Sequence, residues 1–207
     1  MANVEHQHRR HHLAPHTLCW IPTWSRNCLG LEHVLVAGKT ADSSLLAFDE
    51  DGEPFRLAYR LRWDDAGLLQ QAELEASKGM QTRSLSLQTD GRGRWCSSRG
   101  EQIAHLDGCI DIDIWPTPLT NSFPIWRSHL RIGQRQEYKM AWVSAPSLEV
   151  VAKPQAYTRL EERIYLFESL DGSGFTAKLP VDEDGFVIDY PELFRRVNFS
   201  ASAPVDG

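Results

Sequence analysis

The chain has 207 residues, of which 42% are hydrophobic and 24% charged, with 11 prolines and 14 glycines. That balance supplies one sizeable core and excludes a coiled coil, a collagen-like chain and a disordered polymer. Lys and Arg number 22 against 28 Asp and Glu, a net charge of -6, so the basic stripe that nucleic-acid binding needs is missing.

The first fifteen residues hold His6, His8, His11 and His12 with no apolar run, and read as a polar tail rather than a secretory leader or a metal site. Without a leader the expected location is cytoplasmic. One domain is expected over residues 16–200, with 201–207 as a C-terminal tail. No stretch reaches the ~18 to 20 apolar residues of a membrane-spanning helix. Cys19, Cys28, Cys96 and Cys109 form no CxxC pair, which points to free thiols and to no metal or other cofactor.

From Leu31 onward the dominant period is two, the signature of half-buried strands. Leu31 to Ala37 is the first such run, and Leu45, Leu46 and Phe48 precede a turn at Asp49 to Pro54. In the strand that follows, Phe55, Leu57, Tyr59, Leu61 and Trp63 point one way and Arg56, Arg60 and Arg62 the other. Further turn signals at Asp64–Gly67, Asp90–Gly93, Asp171–Gly174 and Asp182–Gly185 separate runs at Leu68–Glu75, Thr82–Gln88, Ile110–Trp115, Tyr138–Val143, Leu148–Val151, Arg163–Phe167 and Phe175–Leu179. Helical signals are few: a short helix within Pro118–Ser128, and one turn begun by Pro191 over Tyr190–Arg195. The pattern predicts a mainly β fold, a single antiparallel sheet curled into an open or incompletely closed barrel.

Chemistry concentrates in one strand. In the run DGCIDIDIW, Asp111 and Asp113 share a face while Ile110, Ile112 and Ile114 share the other. Two carboxylates about 7 Å apart suit a general acid and base, a pair of acceptors for sugar hydroxyls, or the wetted side of an amphipathic strand. The segment after it, TPLTNSFPIWR, adds Thr120, Asn121 and Arg127 on a backbone stiffened by Pro118 and Pro124.

These two runs, with Pro154–Tyr157, the DEDGFVIDYPELFRRV of Asp182–Val197, the GLEH of Gly30–His33 and the RWD of Arg62–Asp64, resemble a bacterial glycolipid-binding family over roughly Trp20–Val197. Trp126 departs from the pattern, standing where a basic residue is expected beside Arg127. The resemblance implies an incompletely closed β-barrel, similar in fold to bacterial lipoprotein carriers. It also implies non-catalytic binding of a glycolipid or similar amphiphile on the concave side, with a role in glycolipid metabolism. The residues assigned to the ligand are Trp63, Asp111, Asp113, Thr120, Asn121, Arg127, Gln155 and Tyr157.

Two alternatives stay open. Asp111, Asp113, Glu32, His33, His105 and Asp189 offer acids and bases to an enzyme acting on a glycosidic or lipid substrate, although GxSxG, HExxH and P-loop motifs are absent. An exposed sheet edge would instead serve a protein-binding scaffold. The sequence leaves the oligomeric state open.

Overall fold

Apolar and polar alternation becomes strand structure along most of the chain. The computed structural model describes residues 13–24 and 29–197. The His-rich segment up to His12, Cys28 and the C-terminal tail from 198 lie outside them.

The first seven strands are β1 Leu13–Pro22, β2 Leu31–Gly38, β3 Thr40–Phe48, β4 Pro54–Trp63, β5 Leu69–Lys78, β6 Gln81–Thr89 and β7 Trp95–Ser97. They form an antiparallel meander. After β8, Asp111–Trp115, and the helix α1, Ser122–Ser128, come β9 Arg135–Ser144, β10 Glu149–Glu161, β11 Ile164–Ser169 and β12 Thr176–Pro180. The chain finishes with β13 Asp189–Tyr190 and β14 Phe194–Arg196. Hydrogen bonds divide these strands into a nine-stranded sheet, β13-β14-β1-β2-β3-β4-β5-β6-β7, and a five-stranded one, β12-β11-β10-β9-β8. Together they make the mainly β, unclosed half-barrel that the periodicity predicts, with α1 as the one α-helix described.

The alternation in β4 falls as the sequence indicates. Phe55, Leu57, Tyr59, Leu61 and Trp63 are all buried, while Arg56, Arg60 and Arg62 face solvent. In β2 the inward set is Glu32, Val34 and Val36, so a carboxyl occupies a core position. β8 pairs in parallel with β9; its Ile112 and Ile114 are buried on one face, while on the other Asp111 is buried and Asp113 and Trp115 are half-buried. The crossover between the two strands is the Pro116–Gln134 segment containing α1.

Three tryptophans tie distant segments together. Trp20 Nε1 donates to the Val187 carbonyl at 2.9 Å, Trp95 Nε1 to Cys109 at 2.7 Å and Trp126 Nε1 to Asp184 at 2.6 Å. Each buries a large ring and satisfies its one donor. Cys19, Cys96 and Cys109 are free thiols.

One expected element is different. Tyr190–Arg195 is a β-hairpin, β13 to β14, rather than a turn of helix. The turn passes through Glu192 at φ 67°, with the Leu193 N–H donating to the Tyr190 carbonyl. Pairing of β14 with β1, Pro22 opposite Phe194, satisfies the backbone and buries Phe194, which overrides the local preference set by Pro191.

Candidate ligand-binding site

Asp111 and Asp113 lie on the same side of β8, inside the half-barrel rather than on a wetted face. Asp111 is 0% exposed, and both its oxygens are taken by Arg127 from the end of α1, Nε to Oδ2 at 2.8 Å and Nη2 to Oδ1 at 2.9 Å. Arg127 also donates to the carbonyls of Gly91 at 3.3 Å and Ile110 at 3.1 Å. Burial pushes the Asp111 carboxyl up to about 6 against the lowering effect of Arg127, so the pair is ionic at neutral pH. This bidentate clamp joins α1 to β8 and to the loop after β6.

Asp113 lines a cavity of about 290 Å³ between the five-stranded sheet and the β13–β14 hairpin. Trp115, Trp142, Phe167, Phe175, Tyr190 and Phe194 supply aromatic walls, and Thr117, Asn121, Lys153, Gln155 and Asp171 supply polar ones. Gln155 Nε2 donates to Asp113 Oδ2, and Thr120 Oγ1 lies 3.4 Å from Oδ1. Burial raises the Asp113 carboxyl, opposed by those two donors. Gln155 is 3% exposed, and its Oε1 is buried with no hydrogen-bond partner among the described residues. A buried acceptor left in that state costs about 1 to 3 kcal/mol, which a donor entering the cavity would recover.

Lys153 lies two residues before Gln155 on β10, on the same strand face. Its ammonium stands 3.5 Å from the centroid of the Trp142 ring and 3.5 Å from Asp171. The hydroxyls of Ser173 and Ser169 and the Ser173 N–H hold the Asp171 carboxyl well below the usual range, so it stays ionised. With Asp113 ionised, the cavity holds two carboxylates and one ammonium, which disfavours an anionic guest and suits a neutral polyol.

A second polar cluster abuts the cavity through Thr117. Glu32 is 0% exposed, and Oε1 accepts from Tyr59 at 2.7 Å and Ser43 at 2.9 Å while Oε2 accepts from Thr117 at 2.9 Å. Burial lifts this carboxyl to about 7 despite the three hydroxyls.

Of the residues expected at the ligand, Asp113, Asn121 and Gln155 come together on the cavity wall. Thr120 and Tyr157 stand behind it: Thr120 Oγ1 accepts from the Ile114 N–H at 3.2 Å, and the Tyr157 hydroxyl donates to Asn121 Oδ1 at 2.8 Å. Asp111 and Arg127 are engaged with one another. Trp63 packs its ring against Phe123 and Trp126, each 5.7 Å away, and is not among the residues lining this cavity. Of the other acids and bases, His33 and His105 are exposed and Asp189 is half-buried, and none of the three lines the cavity.

Sequence reasoning missed Lys153, Trp142, Asp171 and Thr117. The position of Lys153 was open to inference from its two-residue spacing to Gln155. Trp142 and Asp171 needed the register of β9, β10 and β11, which spacing alone does not carry.

Among the described residues no helix is long and apolar enough to cross a membrane, and no three His, Cys, Asp or Glu side chains group as a metal site. A family model described as "Putative glycolipid-binding" matches residues 18–196. No curated protein matches the chain. A solved structure, that of a DUF1089 family protein from Pseudomonas aeruginosa, superposes with a TM-score of 0.79 at 47% identity, covering 81% of this chain and 92% of that one. The same half-barrel is thus built by a close relative, and the family match spans nearly all the described residues: the chain belongs to the "Putative glycolipid-binding" family.

Proposed function

We propose that this protein is a non-catalytic binder of a glycolipid-like amphiphile, whose sugar head group enters the cavity bounded by Asp113, Asn121 and Gln155. The observation that carries the reading is the buried, unpartnered Oε1 of Gln155 beside the Asp113 carboxyl in a cavity walled by both aromatic and polar side chains. Aromatic faces accept the C–H side of a sugar ring while acceptors at the edge take its hydroxyl protons. Thr120 and Tyr157 position Asp113 and Asn121, and Asp111, Arg127 and Trp63 hold the frame. The family description supports the same ligand class.

Catalysis by paired acids has less support. Arg127 occupies both oxygens of Asp111, leaving Asp113 as the one member of that pair on the cavity. In this reading the ligand is met in the cytoplasm, a reducing compartment that suits the free thiols of Cys19, Cys96 and Cys109.

Calorimetric titration with octyl glucoside, glucose and octyl sulfate tests the proposal. The glucoside should bind more tightly than glucose, because each buried methylene adds about 0.8 kcal/mol, and more tightly than the anionic sulfate. Equal binding of octyl sulfate and octyl glucoside, or none of either by folded protein, would refute it.

A further inference from the structure

Asp111, Asp113 and Asp171 differ in the charge of their partners. Asp111 is gripped by the Arg127 guanidinium, and Asp171 has the Lys153 ammonium 3.5 Å away. Asp113 has only neutral donors, the Gln155 amide and the Thr120 hydroxyl, and forms no ion pair among the described residues. Lys153 is the one basic side chain among the described residues of the cavity wall, and it is already engaged by Asp171 and by the Trp142 ring.

Burial is the largest influence on the Asp113 carboxyl and raises it, while Gln155, Thr120 and, least of all, the charge of Lys153 pull it back. A largely desolvated carboxylate with no cation of its own is the costly arrangement for a buried charge. Its charge is felt by the side chains around it: after burial, Asp113 is the next cause raising the phenols of Tyr157 and Tyr190.

Asp113 is also within reach of a guest. It is half-buried and lines the cavity. A carboxylate offers roughly four lone-pair positions, of which Gln155 and Thr120 take one each. The walls are rich in aromatic rings, whose faces attract cations, and the Lys153 ammonium 3.5 Å from the Trp142 centroid is an instance within this cavity. With Asp113 ionised, two carboxylates and one ammonium leave the cavity one negative charge in excess.

We propose that the head group carries an amine, so that it is an amino sugar rather than a plain polyol, and that its ammonium pairs with Asp113. This rests on the reading that the cavity takes a glycolipid-like head group, and narrows it. A hydroxyl also donates to Asp113 but leaves the charge uncompensated. An ammonium neutralises it, and with three protons to give it serves both Asp113 and the unpartnered Oε1 of the neighbouring Gln155, where one hydroxyl serves one of them.

The test is calorimetric titration of the full chain at pH 7 with glycosides of one octyl chain: octyl glucoside, its 2-amino-2-deoxy and 6-amino-6-deoxy analogues, and the N-acetyl derivative of each amine. One of the two amines should bind about tenfold more tightly than octyl glucoside, the gain of a charge-assisted over a neutral contact. Its N-acetyl derivative, which has lost the charge, should lose that gain. Asp113→Asn should bring the amine and the glucoside to equal affinity, with near-ultraviolet circular dichroism establishing that the variant is folded. The wild-type comparison decides the matter by itself if the variant does not fold. Octyl glucoside bound as tightly as both amines, or an N-acetyl derivative bound as tightly as its amine, overturns the proposal and leaves the functional reading standing. A gain that persists in folded Asp113→Asn belongs to the net charge of the protein and also overturns it. No binding of any of the five overturns it together with the functional reading.

Discussion

Asp111 and Asp113 stand two residues apart on one strand, yet Arg127 takes both oxygens of the first while the second faces the cavity. Substitution should separate them. Arg127→Ala leaves a buried carboxylate unpaired and should cost about 3 to 5 kcal/mol of stability, with the folded fraction binding octyl glucoside as before. Asp113→Asn should weaken that binding about tenfold, the loss of one charge-assisted contact, with little change in the unfolding midpoint. Denaturant melts and calorimetry on both variants check the division, and the reverse pattern would place the site at Arg127.

Glu32 should imprint itself on the pH dependence of stability. Its folded pKa, about 7, lies above the unfolded carboxyl value, so the folded state holds this proton more tightly. The resulting stabilisation is fully present below about pH 4 and is lost as pH rises through 7, a change of roughly 3 kcal/mol for this one group. Glu32→Gln keeps the neutral hydrogen bonds at every pH. The difference in unfolding free energy between variant and wild type should therefore swing in favour of the variant between pH 4 and 8. A constant difference across that range would mean that Glu32 is ionised when folded.

Trp63 is a packing residue on these contacts. It is 2% exposed and meets Phe123 and Trp126 edge-on or tilted. Trp63→Ala should cost about 3 to 5 kcal/mol, read from a urea midpoint. Trp63→Phe should cost less, because it also removes an Nε1 that is buried without a partner among the described residues.

Two glycines with similar backbone angles should respond differently to alanine. At Gly172, φ 91°, an added methyl meets nothing within 4 Å, so Gly172→Ala carries only the left-handed penalty of about 1 to 2 kcal/mol. At Gly185, φ 82°, the methyl would sit 2.9 Å from Trp126 Nε1, the atom that donates to Asp184. Gly185→Ala should lower the thermal midpoint clearly more than Gly172→Ala. Equal shifts would mean that the Trp126 ring can move aside.

The strands were legible because their side chains alternate and their turns carry Asp and Gly, and the short helix because Pro118 and Pro124 interrupt that alternation. Asp113 could be named from the face it shares with Asp111 along one strand, and Gln155 only from the family resemblance. Their contact could not, because β8 and β10 are separated by β9 and the parallel pairing of β8 has no local signature. Arg127 was ambiguous for a related reason: a guanidinium near two acids looks the same in sequence whether it grips a ligand or one of the acids. Glu32 had a signal, since Val34 and Val36 fix the inward phase of β2 and place position 32 in the core.

β1 pairs with both β2 and β14, so strands from the beginning and the end of the described chain lie side by side within one sheet. During synthesis β1 leaves the ribosome early and its far edge waits for the last strand to arrive. An unpaired edge is open to another chain for that whole interval. The same late hairpin brings Tyr190, Leu193 and Phe194, so the cavity gains its final wall only when that edge is covered. A nascent chain stopped after β12 would be both sticky at β1 and unable to enclose a head group, which makes ligand capture a property of the finished protein alone.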